Sequence, residues 1–204
     1  MARMIVVLMV AISCGVFDAP QTELDELIKN VPFGETVQVS LSSTWPSWDM
    51  PTVLANSDAI VEGRVTNRRP EATGLPYHVS TRLVIVVNEI WLDRRVPEAT
   101  AGATLERVVV RQPGGRLEYQ GRFVEATDGT FPALPVGTDL VLFLTKGDGA
   151  DVMEIVDGPY GAFVREGQRV KSLLPTWHEL RGRYDGLDRS SFKLMVTRAL
   201  AEAR

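Results

Sequence analysis

The residues able to do chemistry are few and scattered along this chain. The two histidines, His78 and His178, lie 100 positions apart. A zinc site takes three or four donors of the His, Cys, Asp or Glu type. His178-Glu179 has no second histidine four residues on, so it does not form a metallopeptidase helix. No serine stands in the Gly-x-Ser-x-Gly setting that a nucleophile elbow needs. GDGAD at 147–151 offers Asp148 and Asp151 but too few oxygens for calcium. QPGG at 112–115 lacks the lysine and following helix of a phosphate loop, and reads as a hairpin turn. Acid–base catalysis by paired carboxylates has three candidates beside strong strands, Glu62, Glu89 and Asp93. All three are more simply surface residues. No catalytic set, metal or cofactor is therefore expected. The remaining outliers are aromatic. Trp45 and Trp48 flank Pro46, and Tyr160 sits in DGPYGAF. Such side chains anchor a partner when exposed, and otherwise pack as a lid over a core. Trp45, Trp48 and Tyr160 form the candidate binding surface for a protein partner.

The chain opens MARMIVVLMVAISCG. Arg3 precedes an apolar run of nine residues, Met4 to Ile12, followed by Ser13, the lone Cys14 and Gly15. A basic start, an apolar stretch and small residues make the order of a secretory signal. The run is too short to span a bilayer, which takes about 20 apolar residues. VAISCG resembles the lipobox of bacterial lipoproteins, although Ala11 stands where that family prefers leucine. The resemblance implies removal of residues 1–13, a diacylglyceryl thioether on Cys14 and an acylated amine. It also implies a place in the cell envelope, held to a membrane by the lipid anchor. Two alternatives stay open: an ordinary signal peptide with secretion, or a first strand kept by an intracellular protein. A lone cysteine forms no internal disulfide, so the fold must stand on its core.

Composition is that of a globular protein, 45% hydrophobic and 24% charged. Net charge is −4, from 22 basic and 26 acidic residues. Without Arg3 it is 21 against 26, or −5. A mildly acidic chain has no long-range pull on phosphate backbones, so a nucleic-acid partner is not expected.

The elements that must position these residues are mostly strands. Helical spacing of Leu24, Leu27, Ile28 and Val31 predicts a helix over 21–31, and Val37 and Val39 a short strand. Pro51 predicts a helical turn to Ser57. Strands are expected over 59–65, with a bulge or bend at Gly63, and over 79–92, 105–111, around 123–124 and 139–145. Residues 68–77 read as a turn-rich link. Segments 152–156, 162–165 and 169–173 read as a hairpin unit. In the tail, Phe192, Met195, Val196 and Leu200 share a helical face, with Ser190 or Ser191 as cap. The organisation expected is a signal peptide over 1–13, a tether with helix over 14–50, a β-barrel domain over 51–175 and a helical segment over 176–204. Short strands between Gly and Pro turns, with helices at the two ends, imply a mainly β class.

SDAIVEGRVTN, the long strand into NEIWL, ERVVVRQPGG and PVGTDLVLFLTKG follow one another in an order similar to netrin-like domains. That OB-fold family includes the tissue inhibitors of metalloproteinases. The similarity covers roughly 52–146 and implies a small five-stranded OB-like barrel with an added hairpin. Protease inhibition does not carry over, because it relies on disulfides and a free amino-terminal cysteine. The function expected is an exported binding or scaffolding module. The alternatives are a secreted enzyme using carboxylates and a small soluble ligand-binding domain.

Overall fold

In a computed structural model, the residues described are 7–8, 20–41, 43, 45, 49–73, 78–95, 106–147 and 151–202. The protein is mainly β. It divides into two compact units built from interleaved stretches of chain. One comprises Met1–Ser43, Arg69–Arg82 and Gln112–Ala133, the other Thr44–Arg68, Leu83–Arg111 and Leu134–Arg204.

The smaller unit carries β1 (Val7–Leu8), α1 (Pro20–Ile28), β2 (Thr36–Leu41), β6 (Gly115–Tyr119) and β7 (Arg122–Asp128), in the sheet order β1-β2-β7-β6. β2 and β7 run parallel, Val37 opposite Val124 and Val39 opposite Ala126. Alternation along β2 points Val37 and Val39 at one face, and α1 covers that face with Leu24 and Ile28. Burial of those apolar side chains supplies the unit's main driving force, at roughly 25 cal/mol per Å². β6 was not expected. The turn at QPGG is also not a hairpin, because β6 pairs with β7 and not with the strand before the turn. Gly114 has φ +83, and a Cβ there would stand 2.7 Å from the Ala126 carbonyl oxygen. The tandem glycine thus serves a close backbone approach.

The larger unit is built on a ring-like sheet. Its strands are β3 (Ala59–Ala72), β4 (Val79–Asp93), β5 (Arg107–Pro113), β8 (Asp139–Lys146), β9 (Val152–Ile155), β10 (Ala162–Glu166) and β11 (Arg169–Ser172), and β3, β4 and β5 also extend into the smaller unit. The order is β11-β10-β8-β3-β4-β5-β9, and β9 pairs back onto β8. Closure depends on β8 sharing one edge between two partners. Leu140 to Leu142 pair with β10, and Leu144 to Lys146 pair with β9. The expected three-strand hairpin is therefore split: β10 and β11 form a hairpin, while β9 lies parallel to β5. Leu140 to Leu144 are all buried, as the apolar run LVLFL requires of a strand covered on both faces.

Two local expectations are corrected. β3 runs on to Ala72 through Pro70, so 68–72 are strand and not link. Gly63 makes no bulge against β8, whose register is unbroken from Ala59–Leu144 to Arg64–Asp139. A Cβ on Gly63 would stand 2.5 Å from Val86 O, so the glycine lets β4 come close.

α2 (Met50–Ala55) is capped by Asp49, whose carboxylate accepts from the Thr52 N–H at 3.0 Å. A one-turn α3 (Arg181–Tyr184) precedes α4 (Arg189–Glu202). Asp188, not a serine, caps α4: its Oδ1 accepts from the Ser190 N–H at 2.9 Å. α4 buries Phe192 and Val196 against Ile60, Val141, Phe143 and Phe163, with Met195 and Leu200 half-buried alongside. Phe192 meets Phe163 at a centroid distance of 4.8 Å. Among the described residues no helix is long and apolar enough to cross a membrane.

Candidate functional site

The acids beside the strands come first, because they are the ones with catalytic potential. β3 places Glu62 and β4 places Glu89 so that both converge on Arg189 from the first turn of α4. Glu62 is 4% exposed. It receives the Arg189 guanidinium at 2.8 Å and lies 3.3 Å from Arg165 on β10. Glu89 holds Arg189 on one oxygen, and Lys193 contacts the other. The Trp91 indole N–H adds a bond to Glu89 at 3.2 Å. Arg165 also reaches Asp139 at 3.0 Å, and Asp139 takes both arms of Arg64. The result is an unbroken alternation of charge: Arg64, Asp139, Arg165, Glu62, Arg189, Glu89, Lys193. Lys193, and then Trp91 and Arg189, hold the Glu89 carboxyl below its ordinary range against the opposing effect of burial. Arg64 does the same for Asp139, and Arg95 for Asp93 through a two-armed pair. A general acid needs a carboxyl pushed upward. Glu89, Asp139 and Asp93 are pushed down and already occupied. Two acids do converge, but on a guanidinium, and the arrangement holds α4 to the sheet.

The second place is the end of the larger unit where the 3-10 turn Gly158–Gly161 joins β9 to β10. Asp157 and Gly158 both have positive φ, +50 and +54. Asp and Gly tolerate that conformation. Trp45 lies flat against the turn: a Cβ on Gly158 would stand 2.7 Å from the indole ring. Tyr160, next but one, is 7% exposed and belongs to the aromatic core. Its hydroxyl is 2.6 Å from His178 Nε2. The Leu180 N–H donates to His178 Nδ1 at 3.2 Å. A neutral ring carrying its proton on Nε2 satisfies both contacts, so His178 donates to Tyr160. The Tyr160 hydroxyl proton is left to point elsewhere. Asp157 Oδ2 is shielded from water with no hydrogen-bond partner among the described residues. Burial pushes this carboxyl up to about 6. Trp177, next to His178, is 76% exposed.

The structure thus brings Trp45 and Tyr160 together around one turn, while Trp48 and the lipid-bearing candidate Cys14 lie outside the described residues. Trp45 is half-buried and Tyr160 buried, so the exposed aromatic of this end is Trp177. Sequence reasoning missed Asp157 and the His178–Tyr160 bond. The doublet Asp157-Gly158 carried a signal, since it demands left-handed backbone before a proline. His78 belongs to the smaller unit, 6% exposed, with Nδ1 3.2 Å from Glu23. Asp148 also lies outside the described residues. Within those residues no three metal-donor side chains converge. No protein-family model matches the sequence, and no curated protein matches it significantly.

Proposed function

We propose that this chain is an exported binding or scaffolding module, anchored by lipid on Cys14 to a membrane of the cell envelope, with no catalytic centre of its own. The observation that carries the reading is the pairing of the acids. The three strand-borne carboxylates singled out for acid–base catalysis, Glu62, Glu89 and Asp93, are each engaged by arginine or lysine. What remains at the surface suits contact more than reaction: the exposed Trp177 and the half-buried Trp45 against the 157–161 turn, with Trp48 close by in sequence. The body is an OB-like five-stranded barrel of netrin-like character with the β10–β11 hairpin added. The circuit β8-β3-β4-β5-β9 supports that reading. Loss of the leader would take away two paired residues at the edge of the smaller sheet and none of its described core.

One observation favours a second reading, an intracellular ligand-binding domain that keeps its leader. Val7 and Leu8 pair in parallel with Gln38 and Val39, as a retained first strand would. Intact mass of the native protein separates the two. Anchoring predicts a chain starting at Cys14 and heavier by its acyl groups, which partitions into detergent. Cys14→Ser should then accumulate as the full precursor. A native chain that retains Met4 to Ile12, or processing unchanged in Cys14→Ser, would overturn the anchor.

A further inference from the structure

A cleft of about 600 Å³ opens at the end of the ring-like sheet where β4 and β8 finish and β5 and β9 begin. That size accommodates a small organic molecule. Among the described residues its walls carry four cations, Arg94, Arg95, Arg107 and Lys146, against two acids, Asp58 and Asp151. The chain as a whole has the opposite balance, with 26 acids to 22 bases.

The charges differ in what already occupies them. Arg95 is held by Asp93 through two nitrogens, at 2.9 and 2.8 Å. Asp58 accepts from Thr145 Oγ1 at 3.1 Å and from the Lys146 backbone N–H at 2.8 Å. Arg94 spends one nitrogen on the carbonyls of Ala55, the last residue of α2, and Ser57, at 3.2 and 3.0 Å. It has no carboxylate partner there. Arg107 and the Lys146 ammonium have no carboxylate partner among the described residues. These two strand-end cations stand beside one cleft, whereas Arg64, Arg95, Arg165, Arg189 and Lys193 of the same unit are drawn into ion pairs. Their strands also fix them, because Arg107 starts β5 and Lys146 ends β8. Between them the wall is apolar, with Val109, Val152 and Met153.

We infer that this cleft binds the oxyanion of a small organic ligand, its charged group between Arg107 and Lys146 and its apolar body on Val109 and Met153. The guanidinium fork takes two oxygens of a carboxylate or a phosphate alike. Water is poorly excluded at a half-open end, so affinity should be modest and sensitive to salt.

Calorimetric titration with phenyl phosphate, benzoate and neutral benzyl alcohol tests this. Saturable binding of phenyl phosphate or benzoate, weakened by added salt, is the expected result. Whichever anion binds more tightly names the oxyanion. Arg107→Gln combined with Lys146→Gln should weaken that binding roughly tenfold or more. Both side chains are exposed and make no hydrogen bond or ion pair among the described residues, so the unfolding temperature should stay unchanged. The double variant therefore reports on binding and not on folding. Equal affinity in wild type and variant, equal affinity for benzyl alcohol, or no saturation by either anion at millimolar concentration would each overturn the inference.

Discussion

Asp157 is the residue whose environment conflicts most with its chemistry. It stands in left-handed backbone beside Gly158, against which Trp45 packs, with one oxygen buried without a donor among the described residues, and its carboxyl is pushed up to about 6. A folded-state value above the unfolded one means that the native protein binds the proton more tightly. The protonated form therefore favours folding at low pH. That contribution is lost as pH rises from the ordinary value of 3.8 through about 6, and the deficit persists above. Asp157→Asn keeps a residue that tolerates positive φ and removes the charge. Thermal unfolding should show the variant gaining on wild type across this window and staying ahead above it; parallel curves at all pH values would contradict the assignment. Beside it, Tyr160→Phe removes the acceptor of the His178 N–H. The loss should be about 1 kcal/mol by chemical denaturation, the usual net value of one hydrogen bond.

At the scale of elements, α4 is held by two different kinds of contact. Phe192 and Val196 supply apolar burial, and Arg189 and Lys193 on the same side supply charge. The charges are not equivalent. Glu62 is buried, so Arg189→Met leaves it facing Arg165 alone. The cost should be about 3 kcal/mol, the low end of the range for breaking a buried pair, because Arg165 remains. Lys193→Met breaks a half-exposed pair and should cost less than about 1 kcal/mol. Urea unfolding of the two variants decides it; equal losses would show that burial of Glu62 does not govern the network. Some of this was legible beforehand. Phe192 and Val196 were readable from the helical period of the tail. Arg189 was not, since its partners Glu62 and Glu89 lie 127 and 100 positions away. The cap was misplaced for a local reason: Asp188, one residue before the helix, accepts both the Ser190 backbone N–H and the Ser190 hydroxyl, so Ser190 acts as a donor in the first turn.

At the scale of the whole molecule, the path of β9 is decisive. As a third member of a local hairpin it would leave β5 and β8 with open edges. Instead it bridges them, parallel to one and antiparallel to the other. Closed pairing removes exposed edges that would template aggregation. In the smaller sheet β1 covers the β2 edge with two residues. A chain lacking residues 1–13 should keep a cooperative thermal transition, because α1, β2, β6 and β7 retain their described core. Collapse of that transition would make the leader an integral strand and would count against export.

Composition and local pattern alone determined that this protein is mainly β, where β4 and β8 run, and that its acids and histidines form no recognisable catalytic motif. Those properties follow from β-branched runs, helical spacing and the turn chemistry of Gly and Pro, all read over a few residues. Only the tertiary structure decided that β3 continues through Pro70, that β6 exists, and that Glu62 meets Arg189. It also decided that one Asp157 oxygen is shielded from water beside the Gly158–Trp45 contact, and that Arg107 and Lys146 share a cleft without acid partners among the described residues. Each of these depends on which distant strand supplies the missing hydrogen bonds or charge. That choice is made by closure of the sheet as a whole, where burial and pairing over long separations outweigh what neighbouring residues prefer.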